Sequence, residues 1–391
     1  MLASSDLQKD VHPFYKLYSQ PLVDNNARIN FLKELGTNYD AWKTLSSIKN
    51  NLSLIQPMVK NVLEGIAWED TEALNNIEPW VLQMSHMPEF QKVISEGTKG
   101  FKIQNLDFEQ IKNFLMKFKQ IEFLDLENNY NIKGNISWTS EFKDLKKLSL
   151  ASAFMLKGFS GIENLSNLQE LNLNNTTYFE ELTFEKVHGL LRKISLEGSG
   201  ISKITGLQNV INLEEINLKN TNFSQVPLEG PLQTLRKVYL NKSEISTIKD
   251  LLVNTPNIEE LDLSGTRRLP EIVFEEPLEK LKKLSLAESE ISELSGLQNV
   301  KNLKEINLNF TFNLSKLLFT ERYEKLERLS LISSGISSLN GVDNLENLKD
   351  LNLEDARSIT HLKVGKENKD LVLKLKGSGI RSRADIDGLI I

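Results

Sequence analysis

At 391 residues the chain could hold two or three ordinary domains, and its net charge of −6 is spread over both signs along the whole length. That balance gives no electrostatic case for a nucleic acid or an anionic membrane surface as partner. There is no cysteine, which excludes disulfide staples, thiolate metal sites and thiol nucleophiles.

Residues 1–97 read as a helical N-terminal domain. Apolar residues recur there at helical spacing, as in Ile29, Leu32 and Leu35, then Leu52, Ile55, Val59 and Val62. Pro57, Pro79 and Pro88 are expected to end or kink segments. A helix should open at Pro88-Glu89 and run to about Glu96, after which Gly97 and Gly100 punctuate the change. Trp42, Trp68 and Trp80 are expected in the core of this domain. The first residues show no basic stretch followed by an apolar one, so no export signal is read. No apolar run reaches the roughly 18 residues of a membrane helix.

From residue 98 to 380 one pattern returns: Leu191-x-x-Ile194-x-Leu196, Leu213-x-x-Ile216-x-Leu218, Leu235-x-x-Val238-x-Leu240. Its first position recurs at 121, 145, 168, 191, 213, 235, 258, 281, 303, 326 and 348, in steps of 22 to 24 residues. Phe101-x-Ile103 fits a degenerate first copy, and Leu373-x-Leu375 with Ile380 fits a last one, for about twelve repeats. A fixed period of this length means one supersecondary unit stacked on copies of itself, because a single copy cannot bury its own apolar face. Residues 381–391 are left as a C-terminal cap or tail.

A second period of about 45 residues overlies the first. One type of repeat reads Ser-Leu-x-x-Ser-x-Ile-Ser-x-Leu-x-Gly-Leu-x-Asn-Val, at 195–210 and 285–300. The other has a longer amphipathic return, Phe184-Glu185-x-Val187-x-x-Leu190 and Phe274-Glu275-x-x-Leu278-x-x-Leu281. Short returns should be extended or 3₁₀, and the longer ones a turn or two of helix.

These motifs resemble leucine-rich repeat proteins over nearly three quarters of the chain, and the copies with Leu-x-Gly-Leu-x-Asn-Val are similar to the internalin type of bacteria. The resemblance implies an α/β solenoid: a horseshoe with a concave parallel β-sheet, convex 3₁₀ and short helical segments, and an N-terminal α-helical cap. One departure is visible. The position that is asparagine in the family holds Ser199, Thr221, Ser243, Thr266, Ser289, Thr311 and Ser334. A hydroxyl there can still bond the backbone of the turn.

In such a strand the residue before the second leucine points away from the core. Along the stack it runs Lys147, Glu170, Lys193, Glu215, Lys237, Glu260, Lys283, Glu305, Arg328, Asp350, changing sign at every step. This reads as a self-neutralising ladder that fixes register. Two positions on, serine and asparagine alternate until Tyr239 and Asp262 interrupt them. Phe310, Phe312 and Ile332 stand just past strands, and Phe123 takes the ladder position in an early strand. Aromatic side chains left on a wet face anchor interfaces, so Tyr239, Phe310, Ile332, Phe312 and Phe123 are the candidate protein-binding residues, with Arg267 and Arg268 as charged contacts.

No pair among His12, His86, His188 and His361 has metal-ligand spacing, no phosphate-binding glycine loop appears, and Asp385-x-Asp387-Gly388 lacks further calcium ligands. No metal, cofactor or catalytic residue is expected. The chain therefore reads as a non-catalytic, monomeric recognition protein that binds a protein partner on its concave face. The absence of a signal and the helical cap resemble leucine-rich repeat effectors that intracellular bacteria inject into host cells. That resemblance implies a host protein as partner and residence in the cytoplasm or delivery into a host cell. The alternatives are an effector with a separate activity in its N-terminal domain, or an internal scaffold or adhesin.

Overall fold

The computed structural model describes residues 24–37, 56–57, 59–68, 90–365 and 370–388. It divides into two compact units, one of Met1–Met155 with Ser160–Leu168, the other of Leu156–Phe159 with Gln169–Ile391.

The first unit joins helices to the opening repeats. Helices span Asn25–Thr37, Gln91–Gly97 and Phe108–Leu115. Residues 59–64 are also helical. Pro57 lies at the start of that stretch rather than ending one, as suits a residue with no N–H to lose there. Val59, Val62, Leu63 and Ile94 are fully buried. Gly97 lets the Leu63 side chain close in, since a β-carbon there would stand 2.7 Å from Leu63 Cδ1. Trp68 is buried and its indole donates to the Leu63 carbonyl at 3.0 Å. Trp42 and Trp80 lie outside the described residues, as do Pro79, Pro88, His12 and His86. Three parallel strands follow, Gly100–Lys102, Phe123–Asp125 and Lys147–Ser149, with Phe101, Leu124 and Leu148 in register on the core side. Phe108–Leu115 opens on a capping box between Asp107 and Gln110.

In the second unit the leucine period becomes a ladder of ten short strands. They are Glu170–Asn172, Lys193–Ser195, Glu215–Asn217, Lys237–Tyr239, Glu260–Asp262, Lys283–Ser285, Glu305–Asn307, Arg328–Ser330, Asp350–Asn352 and Val372–Lys374. Each is parallel to the next, with equivalent residues opposite one another. All three periodic apolar residues go inward: Leu191, Ile194 and Leu196 are fully buried, as are Leu213, Ile216 and Leu218. In the turn after the strand, the hydroxyls of Thr176, Ser199, Thr221, Ser243, Thr266, Ser289 and Thr311 donate to the carbonyl three residues back at 2.6–2.8 Å. They do locally what the family asparagine is placed to do.

The 45-residue period has a structural counterpart on the returning side. There the two members of a duplication unit pair their returns as a small parallel sheet: Glu181–Thr183 with Lys203–Thr205, Glu271–Val273 with Glu293–Ser295, Lys316–Leu318 with Ser338–Asn340. The second member of each of these pairs then turns on a left-handed glycine (Gly206, Gly296 or Gly341) into a one-turn 3₁₀ segment. The asparagine three residues past the glycine donates back to the carbonyl of a buried phenylalanine: Asn209 to Phe184, Asn299 to Phe274, Asn344 to Phe319.

The longer returns are not helical, contrary to the amphipathic pattern. Their amides are committed to the neighbouring repeat: His188, Leu278 and Tyr323 N–H donate to the Asn209, Asn299 and Asn344 carbonyls at 2.9 Å. A helix would need those donors for its own ladder. Val187 and Leu190 consequently stand 64% and 42% exposed. The helix of this unit lies instead at Lys249–Asn254. There Leu251 occupies the place of the turn glycine, and Pro227 in the preceding return cannot donate to a paired strand.

Candidate functional site

Every strand of the two ladders is left by a turn in which one residue has φ between +52° and +74°. In the second unit these are Asn175, Gly198, Asn220, Lys242, Gly265, Glu288, Phe310, Ser333, Asp355 and Gly377. From Asn175 to Asp355 the N–H of this residue donates across to the next repeat, as Asn220 does to Asn241 O and Phe310 to Ile332 O, both at 2.7 Å. That bond locks the left-handed conformation. Glycine and asparagine accept it readily, whereas a bulky side chain is an outlier there. Phe310 is such an outlier, at φ +59°, and the residue remains 40% exposed.

Around Phe310 the strand-exit edge forms a groove of about 650 Å³ lined by Arg267, Glu288, Ser289, Glu290, Phe310, Phe312 and Asn313. Phe312 is 70% exposed and meets Phe310 edge-on, with ring centroids 6.4 Å apart. Arg267 is exposed and has no ion pair among the described residues, whereas Arg268 points back to Glu244 at 2.6 Å. Ile332 lies beside the groove, half-buried; its N–H donates to Asn309 Oδ1 at 2.9 Å, and the Ser330 hydroxyl donates to the same oxygen at 2.6 Å. Arg267, Phe310 and Phe312 thus line one groove, and Ile332 stays outside that lining.

Tyr239 does not join them. It is three strands away from Asn307, half-buried between Asn217 and Asp262. Burial, and then the carboxylates of Glu260, Glu215 and Asp262, push its phenol up to about 12. Asp262 is itself held by Asn241 and Ser264. Phe123 belongs to the first unit, half-buried beside Lys147.

The raised phenol sets a pH dependence. Its neutral form is favoured in the folded state, so the stabilisation is complete below the ordinary tyrosine value of about 10 and is lost as pH rises through about 12. Tyr323, buried near Glu321, is displaced the same way, also to about 12. Denaturant midpoints should fall across that alkaline window in the wild type and less steeply in Tyr239→Phe. Equal slopes would contradict the assignment.

The charge ladder closes in part as ion pairs: Lys193–Glu215 at 2.7 Å, Lys237–Glu215 at 3.9 Å and Arg328–Glu305 at 4.0 Å, whereas Asp350 pairs at 2.8 Å with Lys374, two residues past the ladder position of its strand. A second ladder one residue earlier escaped the sequence reading: Arg192–Glu214, Arg236–Glu259, Lys282–Glu259 and Lys349–Glu327. Such exposed pairs are each worth about 0–1 kcal/mol, so they set register more than affinity.

The sequence reading also missed Tyr130 and Phe154 of the first unit. Their rings stack 5.8 Å apart, with 52% and 36% of each residue exposed, and Met155 beside them is 44% exposed. Each lies two residues past the left-handed residue of its turn, as Phe312 does. That offset is the signal that could have found them.

Among the described residues no cluster of His, Asp or Glu could hold a metal ion, and no helix is long and apolar enough to cross a membrane. The Asp385 carboxylate is used locally, accepting from the Arg381 and Ser382 amides.

Strands rising once per leucine period, parallel and in phase over ten copies, with 3₁₀ turns on the return, leave one architecture. The fold is a leucine-rich repeat solenoid. No family model matches the sequence, and no curated protein does. Solved structures similar to the chain include a leucine-rich repeat protein of Leptospira interrogans, at 18% identity and TM-score 0.39, covering 76% of this chain and 88% of that one. Others are the leucine-rich repeat domain of APL1 (16%, TM-score 0.42, 68% and 80%) and an internalin of Listeria monocytogenes (13%, TM-score 0.36, 81% and 96%).

Proposed function

We propose that the repeat unit is a non-catalytic recognition module that grips another protein along its strand-exit edge. Phe310 and Phe312 are the apolar anchors and Arg267 the charged one. The observation that carries this is the conformation of Phe310. Holding a phenylalanine in a left-handed turn costs on the order of 1–3 kcal/mol, and the residue is left 40% exposed instead of being used in the core. Strain of this kind is kept where the side chain is needed outside.

The fitting partner presents an apolar side chain to the two rings and a carboxylate to Arg267. Glu288 and Glu290 on the same groove favour a basic residue next to it. Tyr239 and Ile332 would extend the contact onto the sheet face, and Arg268 and Phe123 are secondary. The resemblance to effectors of intracellular bacteria makes a host protein the partner we favour. A separate activity in residues 1–97 concerns a segment that lies largely outside the described residues.

The test compares the full chain with Phe310→Ala/Phe312→Ala/Arg267→Glu as bait on host-cell extract. A partner lost at least roughly tenfold by the variant, with the cooperative unfolding of the two baits unchanged, supports the proposal. A partner retained equally by both baits rejects it.

A further inference from the structure

The three glycine-turned return pairs of the second unit repeat one backbone. His188, Leu278 and Tyr323 N–H donate to the Asn209, Asn299 and Asn344 carbonyls at 2.9 Å. The side chains of Asn212, Asn302 and Asn347 donate in turn to the Gly189, Glu279 and Glu324 carbonyls at 2.7 Å. Three surface positions on this edge nevertheless differ in character. In the third pair Arg322 meets Glu346 at 2.8 Å, and Lys325 is exposed. In the second, Pro277 and Lys301 line one groove, and Lys280 is exposed. In the first, the same positions hold Val187, Ile211 and Leu190, all of them exposed. The Arg322–Glu346 ion pair puts the first two positions within contact reach, and Leu190 follows Gly189, which Asn212 ties to the return of Ile211. One copy thus carries a joined apolar patch where its sisters carry charge. Clustered apolar side chains on a wet face mark a contact surface.

We propose that this patch is a homodimer interface, covered by the same patch of a second copy across a two-fold axis beside Val187. The charges next to the patch select a second copy as its occupant. Glu185 and Lys186 immediately precede Val187, both exposed and without an ion pair among the described residues. The sister returns carry Glu275-Glu276 and Thr320-Glu321 there, and neither can neutralise itself across a two-fold axis. Glu185-Lys186 can: Glu185 of each copy meets Lys186 of the other, as a self-complementary surface requires. The monomer expected from the sequence gives way on this face, independently of the proposed groove.

Three side chains make a small contact, so a dimer is expected at tens of micromolar, and sedimentation of the full chain from about 1 to 200 µM covers that range. Val187→Arg/Leu190→Lys/Ile211→Glu gives the first pair the residues of the third, which the same backbone already carries. Its thermal unfolding should match wild type, while self-association weakens at least roughly tenfold. Lys186→Glu sets glutamates against glutamates and should weaken the dimer about tenfold, and Glu185→Lys added to it should restore the dimer. The proposal is overturned by a monomer across the whole range, by a dimer that the triple exchange leaves intact, or by no recovery in the double charge exchange.

Discussion

Gly296→Ala is expected to remove about 3 kcal/mol or more of unfolding free energy. Gly296 has φ +74°, where a β-carbon costs roughly 1–2 kcal/mol by its clash with its own backbone. Space is the larger obstacle. The added carbon would stand 2.3 Å from Phe274 O and 2.8 Å from Phe274 N, both backbone atoms of the preceding repeat. The return has to shift away, and the 2.7 Å bond from Asn299 to that carbonyl goes with it, for about a further 1 kcal/mol. Gly189→Ala is the control: its β-carbon meets nothing within 4 Å, so stability should stay within about 1 kcal/mol of wild type or rise slightly. Urea unfolding of the two variants decides the point, and a loss below about 1 kcal/mol at Gly296 would mean that the repeats are not packed as closely as described.

Phe310→Asn should separate binding from stability. Asparagine adopts the left-handed turn with little strain, so its relief of about 1 kcal/mol offsets the lost edge contact with Phe312, itself about 0.5–1.5 kcal/mol. The unfolding free energy is expected within about 1 kcal/mol of wild type. By contrast Phe319→Ala, which empties a site only 1% exposed, should cost about 3–5 kcal/mol. Partner binding should move the opposite way, falling sharply for Phe310→Asn while a folded Phe319 variant keeps its affinity. If Phe310→Asn destabilises as much as Phe319→Ala, the ring is part of the core and the groove proposal falls.

The contrast between these two phenylalanines shows where sequence stops being informative. The leucine spacing named the strands because burial of a periodic stripe leaves only one way to stack it, and Phe101 and Leu373 could be placed as end copies by counting. The hydroxyl row, Thr221 and its counterparts, was legible because a side-chain oxygen has few local partners to choose from, although Ser334 Oγ is buried with no hydrogen bond among the described residues. The returns were misread because Val187 and Leu190 carry a helical spacing that the amides of His188 and its equivalents, bonded to the next repeat, do not permit. Phe310, Phe312 and Ile332 were singled out from their positions past the strands, but the convergence of the two phenylalanines with Arg267 depends on the turn geometry, which residues as different as Lys242, Gly265 and Glu288 all share. Tyr239 was singled out on the same reasoning and sits three strands away from the one that Phe310 and Phe312 follow.

The alternation of Glu and Lys along the ladder, and of glycine-capped with longer returns, also constrains how such a gene can lengthen. Inserting one repeat sets two like charges side by side and stacks two returns of the same type. Inserting two leaves every neighbour with its former kind of neighbour. Recombination within this array is therefore subject to a parity rule: copies enter or leave in twos, and the 45-residue pair is the smallest heritable brick.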